Sequence, residues 1–189
     1  MQAHDFKEII IRRSTLEDSE SFQRCLDTVA RERKWLTLLE APNLEEVRTF
    51  IPKLSVQFVA ITQGTVVGWC DISIPRKRDG FCHCGVLGMG LLPEFRRRGL
   101  GERLLRATID AAHANGLSRI ELEVYASNHA AIRLYERLGF AHEGRRRQAR
   151  ILDGQVEDNL CMALVLAGQD PPYGPASFSC RLAQNAASS

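Results

Sequence analysis

The spacing of apolar residues changes several times along the chain, and these changes predict its elements. Short runs rich in β-branched residues, or alternating with polar ones, favour strands, whereas apolar residues recurring every three or four positions favour helices. The pattern predicts strands over residues 9–11, 57–62, 66–74, 82–92, 120–125, 140–151 and 155–166. It predicts helices over residues 14–33, 42–51, 99–114 and 128–138. This order of elements indicates an α/β fold with a mixed sheet.

Turn and capping residues mark the ends of these elements. Residues 14–18 start with Ser and Thr and continue with early acids, as the first turn of a helix does. Residues 63–64, Gln-Gly, predict an antiparallel hairpin, and residues 153–154, Asp-Gly, predict a second tight turn. Gly116 and Gly139 each follow the last periodic position of a helix, where glycine is a common terminator.

Length and composition predict one domain with a tail. The chain has 189 residues, of which 44% are apolar, enough for one sizeable core and too few for two typical domains. We expect this domain to cover residues 1–167. Residues 168–189 are rich in Pro, Gly, Asn, Ala and Ser, which offer little apolar area to offset the entropy of ordering. We therefore expect these residues to form a flexible tail.

Charge is nearly balanced over the whole chain, at a formal net value of +2. The overall field therefore gives no strong attraction to nucleic acid or to a membrane, and basic residues matter only where they cluster. They cluster at residues 96–98 and again at residues 145–147, both Arg-Arg-Arg. The second run could bind acidic acceptors, RNA or nothing, and a solvated strand face is its simplest interpretation.

Cysteine usage and hydropathy favour a reduced, cytoplasmic protein. The six cysteines are scattered and include no paired CxxC spacing, so we expect core thiols and no metal site. No segment approaches the ~18 consecutive apolar residues that span a bilayer. The first residues lack the basic and apolar regions of a signal peptide. We expect a cytoplasmic location and no membrane partner.

Residues 91–101 leave a predicted strand, turn through a basic, glycine-spaced loop and enter a predicted helix. The unpaired amides at the start of such a helix, with the positive end of its dipole, favour a phosphate. The spacing does not fit a dinucleotide fingerprint, because Leu104 stands where the third glycine belongs, and the Gly-Lys-Ser/Thr of a Walker A loop is absent. Taken alone, the loop also fits an ordinary helix start.

A second motif lies downstream. Residues 122–140 read Leu-Glu-Val-x-x-x-Asn-x-x-Ala-x-x-Leu-Tyr-x-x-Leu-Gly-Phe, and residues 96–101 fit the pattern [Gln/Arg]-x-x-Gly-x-[Gly/Ala]. With both motifs in this order, residues 59–166 resemble the GCN5-related N-acetyltransferase superfamily. Within it they look most like bacterial ribosomal-protein alanine N-acetyltransferases and related small-amine acetyltransferases. The resemblance implies a single-domain, mostly antiparallel sheet flanked by helices.

The resemblance also implies a cosubstrate, acetyl-CoA, with no metal. The family's strand at residues 89–91 splays from its neighbour so that its amides bind the pantetheine arm, and Gly88 and Gly90 are compatible with a bulge or a close ligand approach. The implied cofactor-binding residues are Met89, Gly90, Leu91, Arg96, Arg97, Arg98, Gly99, Leu100, Gly101, Glu102 and Asn128. Asn128 is also a natural N-cap for the helix that follows it.

Two residues are candidates for proton transfer. Glu121 and Glu123 lie on one face of a predicted strand, with Cα atoms roughly 7 Å apart. The resemblance implies that Glu123 is the proton acceptor, while Glu121 or a water chain stays open as an alternative. It also implies that Tyr135, which shares a helix face with Asn128, protonates the departing thiolate. A core tyrosine with a satisfied hydroxyl is the structural alternative.

The combined prediction is an N-acetyltransferase that moves an acetyl group from acetyl-CoA to a primary amine by direct attack on the thioester. The amine is a small molecule or a protein N-terminus, and His83, Trp35 and Asp158 are unranked candidates for its pocket. The alternative is a non-catalytic acyl-CoA-binding module, which the presence of both Glu123 and Tyr135 disfavours. A nucleic-acid-binding domain is disfavoured by the balanced charge. The oligomeric state stays open, a homodimer included.

Overall fold

The computed structural model describes residues 8–74 and 79–166, and its contacts divide the chain into two compact units. The first unit comprises the described residues up to Asp71 together with Gly88–Ile109. The second comprises the described residues of Ile72–Leu87 and those from Asp110 onward. The seven strands form one sheet in the order β1-β2-β3-β4-β5-β7-β6.

The bounds of the elements agree with the predicted ones to within a few residues. The strands are β1 (Ile10–Arg13), β2 (Val56–Thr62), β3 (Thr65–Ser73), β4 (Cys84–Leu91), β5 (Arg119–Tyr125), β6 (Ala141–Leu152) and β7 (Gln155–Val165). The helices are α1 (Ser19–Arg31), α2 (Leu44–Phe50), α3 (Leu100–Ala114) and α4 (His129–Arg137). The predicted α/β fold with a mixed, mostly antiparallel sheet and flanking helices is confirmed.

The differences lie at element ends. The predicted start of the first helix is a 3-10 turn, Leu16–Asp18, in which Thr15 and Asp18 form a reciprocal capping box. β4 begins at Cys84 and not at Cys82, because residues before it form a short turn over Asp79–Phe81 and its continuation. The predicted tail, residues 168–189, lies outside the described residues.

The first unit is held together by an apolar core under α1 and α2. β1 pairs antiparallel with β2, from Ile10 opposite Ile61 to Arg13 opposite Phe58. Phe22 of α1 packs edge-on against Trp69 of β3, with ring centroids 5.6 Å apart. The core also contains Cys25, Leu26, Val29, Val47, Ile51, Val59, Ile61 and Val66.

Glycines on β4 make room for two large side chains of β3. A Cβ on Gly90 would lie 2.3 Å from the Trp69 ring, and a Cβ on Gly88 would lie 3.1 Å from a carboxylate oxygen of Asp71. Real Cβ atoms are not found at the first distance. Packing against Trp69 therefore accounts for Gly90, whereas a Cβ on Gly88 would need only a small shift of the Asp71 side chain. The bulge and the close ligand approach stay predictions.

The second unit contains the pairing of β4 with β5 and the long β6–β7 hairpin. β4 runs parallel to β5, and the ladder joins Cys84, Gly85 and Val86 to residues 119–121. β5 pairs antiparallel with β7 over its whole length, from Arg119 opposite Val165 to Tyr125 opposite Asn159. β6 pairs antiparallel with β7 and is interrupted by two register shifts.

The cysteines in the described part of the chain are free thiols. Cys25, Cys70 and Cys82 are buried free thiols, and Cys84 and Cys161 are partly buried and also free. Burial raises the pKa of Cys25 to about 12, so this thiol stays protonated near neutral pH. Among the described helices, none is long and apolar enough to cross a membrane.

Asp71 is a carboxyl group within the first unit's interior. It is only 8% exposed, and the side chain of Trp69 donates a hydrogen bond to it. Burial raises the pKa of Asp71 from 3.8 to about 7, with the Trp69 hydrogen bond acting in the opposite direction. Asp71 is the one charged residue in the run at residues 66–74, which is the sequence signal that could have singled it out.

Stability should therefore fall as pH rises from about 4 through 7, because the folded protein retains a proton on Asp71 that the unfolded chain has already released. The amide introduced by Asp71→Asn cannot ionise and keeps a carbonyl acceptor for Trp69. We expect the free energy of unfolding of Asp71→Asn, relative to the parent protein, to rise by roughly 2–3 kcal/mol between about pH 5 and pH 8. Urea denaturation at both pH values measures this. Parallel pH dependences in the two proteins would contradict it.

Candidate active site

The basic loop between β4 and α3 is anchored at both ends by buried apolar residues. A 3-10 turn at Pro93–Phe95 follows β4, and the side chain of Phe95 is buried. Leu100 is buried at the start of α3. Between these anchors, Arg97 and Gly99 adopt positive φ values of 59° and 75°. The exposed loop is thus turned sharply into the helix by a conformation that favours glycine.

The loop ends at the first turn of α3, whose leading amides have no i−4 carbonyl partner within the helix. The first helical bond runs from the Arg103 N–H to the Gly99 carbonyl, at 3.2 Å. The amides that precede Arg103 in the first turn therefore have no i−4 partner within α3. A Cβ on Gly99 would meet no atom within 4 Å, so the space beside this amide is open. With the helix dipole and the exposed Arg97 and Arg98, this geometry favours an anion.

Arg96 is held by the protein itself. Its Nε donates to the Leu91 carbonyl at 2.9 Å, and its two Nη atoms donate to both carboxylate oxygens of Glu32. Both side chains of this ion pair are mostly buried. Arg96 therefore ties the loop to β4 and to the end of α1. The sequence had grouped it with Arg97 and Arg98 as a cofactor ligand, and that role stays a prediction.

The ladder between β4 and β5 covers only the first part of β4. The parallel ladder with β5 ends at Val86, while β4 itself continues to Leu91. Among the described residues, no β5 partner pairs with residues 87–91. On the other side, the chain after β4 stays attached to β3, since the Leu92 N–H donates to the Val67 carbonyl at 3.0 Å. The backbone of Met89, Gly90 and Leu91 can therefore hydrogen-bond a ligand along one edge.

Glu123 stands on β5 in the second unit and is held by two side chains. Arg146 of β6 donates from Nη1 to one carboxylate oxygen, and Asn159 of β7 donates from Nδ2 to the other at 3.0 Å. The side chain of Glu123 is 43% exposed. The predicted proton acceptor is thus accessible to solvent, its orientation is fixed by Asn159, and it forms an ion pair with the guanidinium of Arg146.

Glu121, the alternative acceptor, is also ion-paired and is less exposed. Arg119 donates from Nε to Glu121 at 2.8 Å and from both Nη atoms to Glu143. These two carboxylates raise the pKa of Arg119 further above its ordinary value, and Arg119 lowers the pKa of Glu143. The side chain of Glu121 is 29% exposed against 43% for Glu123, so Glu123 is the more accessible of the two carboxylates.

Tyr135 and Asn128 lie on or beside α4 as predicted. The Asn128 side chain accepts from the Ala131 N–H at 3.2 Å, so its N-cap role is confirmed. Tyr135 is buried, with its ring 5.7 Å from that of Phe140. The ring therefore belongs to the core of the second unit, whichever role its hydroxyl has.

Residues 16–140 match the model of the acetyltransferase (GNAT) family. The chain belongs to this family. The resemblance seen in the two motifs is thereby confirmed, since the matched range contains both the basic loop and residues 122–140.

The relatives of this chain carry names that specify different acetyl acceptors. The chain is 45% identical over 75 residues to the ribosomal protein bS18 alanine N-acetyltransferase of Salmonella typhimurium, covering 40% of this chain and 51% of that protein. The chain thus spans about half the length of the curated relatives of this kind that it matches. It is 28% identical over 165 residues to the L-amino acid N-acetyltransferase AaaT of Escherichia coli, covering 84% and 98%.

A solved structure gives the same fold. The acetyltransferase yncA from Salmonella typhimurium, solved with its cofactor acetyl-CoA, has a TM-score of 0.81 at 22% identity, covering 88% of this chain and 98% of that one. At this level of identity the likeness concerns the fold.

The β6–β7 hairpin adds side-chain pairs that the sequence did not reveal. The run at residues 145–147 is exposed, as a solvated face is, and in it Arg145 donates to Asp158 at 2.7 Å and Arg146 binds Glu123. Arg150 lies over the Tyr125 ring, 4.7 Å from its centroid. These pairs follow from the register of the β6–β7 hairpin. That register contains a bulge, so the alternation of polar and apolar residues along the sequence does not predict it.

The three acceptor-pocket candidates have different surroundings. Trp35 is half-buried, and the Lys34 ammonium lies 4.7 Å from its ring centroid. The backbone carbonyl of His83 accepts hydrogen bonds from two backbone N–H groups at the start of β5. Asp158 accepts from Arg145 and from the Gln148 N–H, and these contacts lower its pKa. Within the described ranges, no group of three His, Cys, Asp or Glu residues could hold a metal ion.

Proposed function

We propose that this GNAT acetyltransferase moves an acetyl group from acetyl-CoA to a primary amine of a small molecule or of a protein N-terminus. The observation that carries the proposal is the basic loop. Here first-turn amides of α3 without an i−4 partner in the helix, and two exposed arginines, follow the part of β4 that lies beyond its ladder with β5. Phosphates suit the loop, and an amide-bearing chain such as pantetheine suits the strand edge.

Each predicted ligand has a definable part in holding acetyl-CoA. The backbone of Met89, Gly90 and Leu91 would pair with the amide-bearing arm. The second group of residues would hold the pyrophosphate: Arg97, Arg98, Gly99, Leu100, Gly101 and Glu102, the last two through their amides. Arg96 would keep the loop in place through Glu32 and the Leu91 carbonyl. Asn128 would add a side-chain contact, although its Oδ1 already caps α4.

Acetyl-CoA supplies a thioester, and in the proposed reaction the amine nitrogen forms a bond to its carbonyl carbon while the carbon–sulfur bond breaks. An amine attacks only after losing the proton of its ammonium form. We assign that proton to Glu123, whose carboxylate is exposed and oriented by Asn159. The departing thiolate needs a proton, which we assign to the Tyr135 hydroxyl. The second proton, which the nitrogen loses after forming its bond to carbon, returns the tyrosinate to its hydroxyl form. Positioned donors and acceptors of this kind are typical of acid–base catalysis.

A bulky residue in the first turn of α3 tests the binding half of the proposal. Gly101 is buried beside the open amides, so a valine there is expected to obstruct the approach of a phosphate. Losing one charge-assisted hydrogen bond weakens binding by roughly tenfold or more. Calorimetric titration of folded Gly101→Val with acetyl-CoA measures this. The matched control is Gly144→Val in β6 of the second unit, where a Cβ would meet no atom within 4 Å. Unchanged affinity in Gly101→Val would exclude this loop as the phosphate site.

Catalysis is tested separately by following CoA release with a panel of amines and N-terminal peptides. Release that depends on an amine supports the transferase. Acetyl-CoA binding without release above the enzyme-free rate, for every amine, would favour the alternative of a non-catalytic acyl-CoA-binding module. A shift in melting temperature with RNA but not with acetyl-CoA would contradict both.

A further inference from the structure

Glu123 and Arg146 place opposite charges side by side on one face of the second unit's strands. In the strand register, Glu123 lies opposite Cys161 and Tyr125 opposite Asn159 on β7, and Arg146 of β6 lies opposite Asn159 from the other side. Residues opposite one another in a sheet share a face, as do residues two apart. Glu123, Tyr125, Asn159 and Arg146 therefore belong to the same face.

The two charges are accessible. The Arg146 side chain is 63% exposed and that of Glu123 is 43% exposed. An exposed ion pair contributes only about 0–1 kcal/mol, so a ligand that offers both opposite charges can replace it at little cost. The fold therefore does not depend on this pair, and Arg146 is a cation within reach of any molecule that binds Glu123.

Asn159 fixes one side of this pair. It is 9% exposed, and its Nδ2 donates to Glu123. The carboxylate determines the amide's orientation, because a flipped amide would set its oxygen against a carboxylate oxygen. Asn159 Oδ1 then has no donor among the described side chains and backbone groups. Glu123 is thus held from the β7 side, while its Arg146 side is the one that can exchange partners.

A second guanidinium lies on the same face. Arg150 stands over the Tyr125 ring, and Tyr125 follows Glu123 by two residues on β5. The nearby Glu157 accepts from the Ser127 N–H and hydroxyl, each at 3.1 Å. The face beside Glu123 therefore presents arginines to a ligand, while Glu157 on the same face is bound to Ser127 and Glu121 to Arg119.

Resting on the proposed function, we propose that Arg146 binds the carboxylate of the acceptor, so that the preferred amines are free α-amino acids. Such an acceptor carries an ammonium and a carboxylate on one carbon, and it can replace the ion pair with two new ones. Its ammonium faces Glu123, to which it gives up a proton, and its carboxylate takes the planar guanidinium of Arg146. A protein N-terminus has a neutral peptide group in place of that carboxylate.

The test compares three acceptors with one side chain: an amino acid, its amide and its decarboxylated amine. We expect the parent protein to favour the amino acid in kcat/KM. Arg146→Gln should lower kcat/KM for the amino acid by about tenfold to hundredfold, the effect of losing a charge-assisted hydrogen bond, and change it little for the other two. Arg146→Lys should recover part of the loss, because lysine keeps the positive charge but cannot donate the two parallel hydrogen bonds of a guanidinium.

Arg145→Gln is the matched control. Arg145 neighbours Arg146 on β6 and is 60% exposed. The strand register places Arg145 and its partner Asp158 on the face opposite to that of Arg146. The Arg145→Gln substitution should therefore leave the selectivity among the three acceptors unchanged. A general effect on Glu123 would lower the rate with all three acceptors equally, so the ratio between acceptors separates carboxylate binding from a structural role.

The outcomes also separate this inference from the proposed function. If amines lacking a carboxylate, or peptide N-termini, react as well as amino acids in the parent protein, Arg146 is not a selectivity residue although the transferase stands. Equal losses for all acceptors in Arg146→Gln would likewise overturn the inference. If no amine releases CoA, the proposed function fails and the inference fails with it.

Discussion

Glu123→Gln is expected to lower kcat by about 10²- to 10⁴-fold, the usual contribution of a positioned proton acceptor. The substitution keeps the shape of the side chain and can still accept from Asn159 Nδ2, but it cannot take a proton from an ammonium. Acetyl-CoA affinity should change much less, since this residue is assigned to the amine. Steady-state kinetics with a reactive amine measure kcat, and calorimetry measures the affinity.

The pH profile identifies the role more sharply than the rate alone. If Glu123 is the base, the acidic limb of the parent protein's pH–rate profile should change in Glu123→Gln. Glu121→Gln is the matched comparison, because that carboxylate is bound to Arg119 two residues away on the same strand. A Glu123→Gln protein with the parent kcat and an unaltered acidic limb would assign the proton to Glu121 or to a water chain.

The ion pair between Glu123 and Arg146 affects the interpretation of Glu123→Gln. Removing the charge of Glu123 also releases Arg146, so part of any change in KM could come from the released guanidinium. The double variant Glu123→Gln/Arg146→Gln distinguishes the two effects. A kcat loss that persists in the double variant belongs to the missing base, whereas a KM change that disappears belongs to the released guanidinium.

The sequence predicted the helices and strands well because their signals are local. The caps at Thr15 and Asn128 and the turns at residues 63–64 and 153–154 depend on a few neighbouring residues, and all are present. The loop into α3 was readable for the same reason, since a glycine-spaced basic run and a periodic helix adjoin in the chain. Local chemistry of this kind is consistent with the observed fold at every step.

Pairs that join distant residues were not readable. Glu32 lies 64 residues before Arg96, and nothing in either segment indicates that one carboxylate binds both Nη atoms of that arginine. The role of Gly90 as space for the Trp69 ring depends on which strands are neighbours, and the partners of Glu123 depend on a hairpin with a bulge. Sequence patterns give the face of a residue, while the register decides what it touches.

Tyr135→Phe is expected to lower kcat by about the same 10²- to 10⁴-fold if the hydroxyl protonates the thiolate. Phenylalanine preserves the ring that packs on Phe140 in the core, so the fold should remain intact. The substitution should slow the step in which the CoA thiolate leaves. We therefore expect a thioester with a more acidic thiol to recover much of the lost rate in Tyr135→Phe and little in Glu123→Gln.

Stability provides the control for this last experiment. A buried hydroxyl that serves only the core contributes roughly 1 kcal/mol through its hydrogen bond, and losing it lowers the melting temperature without changing chemistry at saturating substrate. Phe140→Leu perturbs the same aromatic contact from its other side and should reduce stability with little effect on kcat. If Tyr135→Phe behaves like Phe140→Leu, with reduced stability and the parent kcat, the tyrosine is a core residue and the thiolate receives its proton from elsewhere.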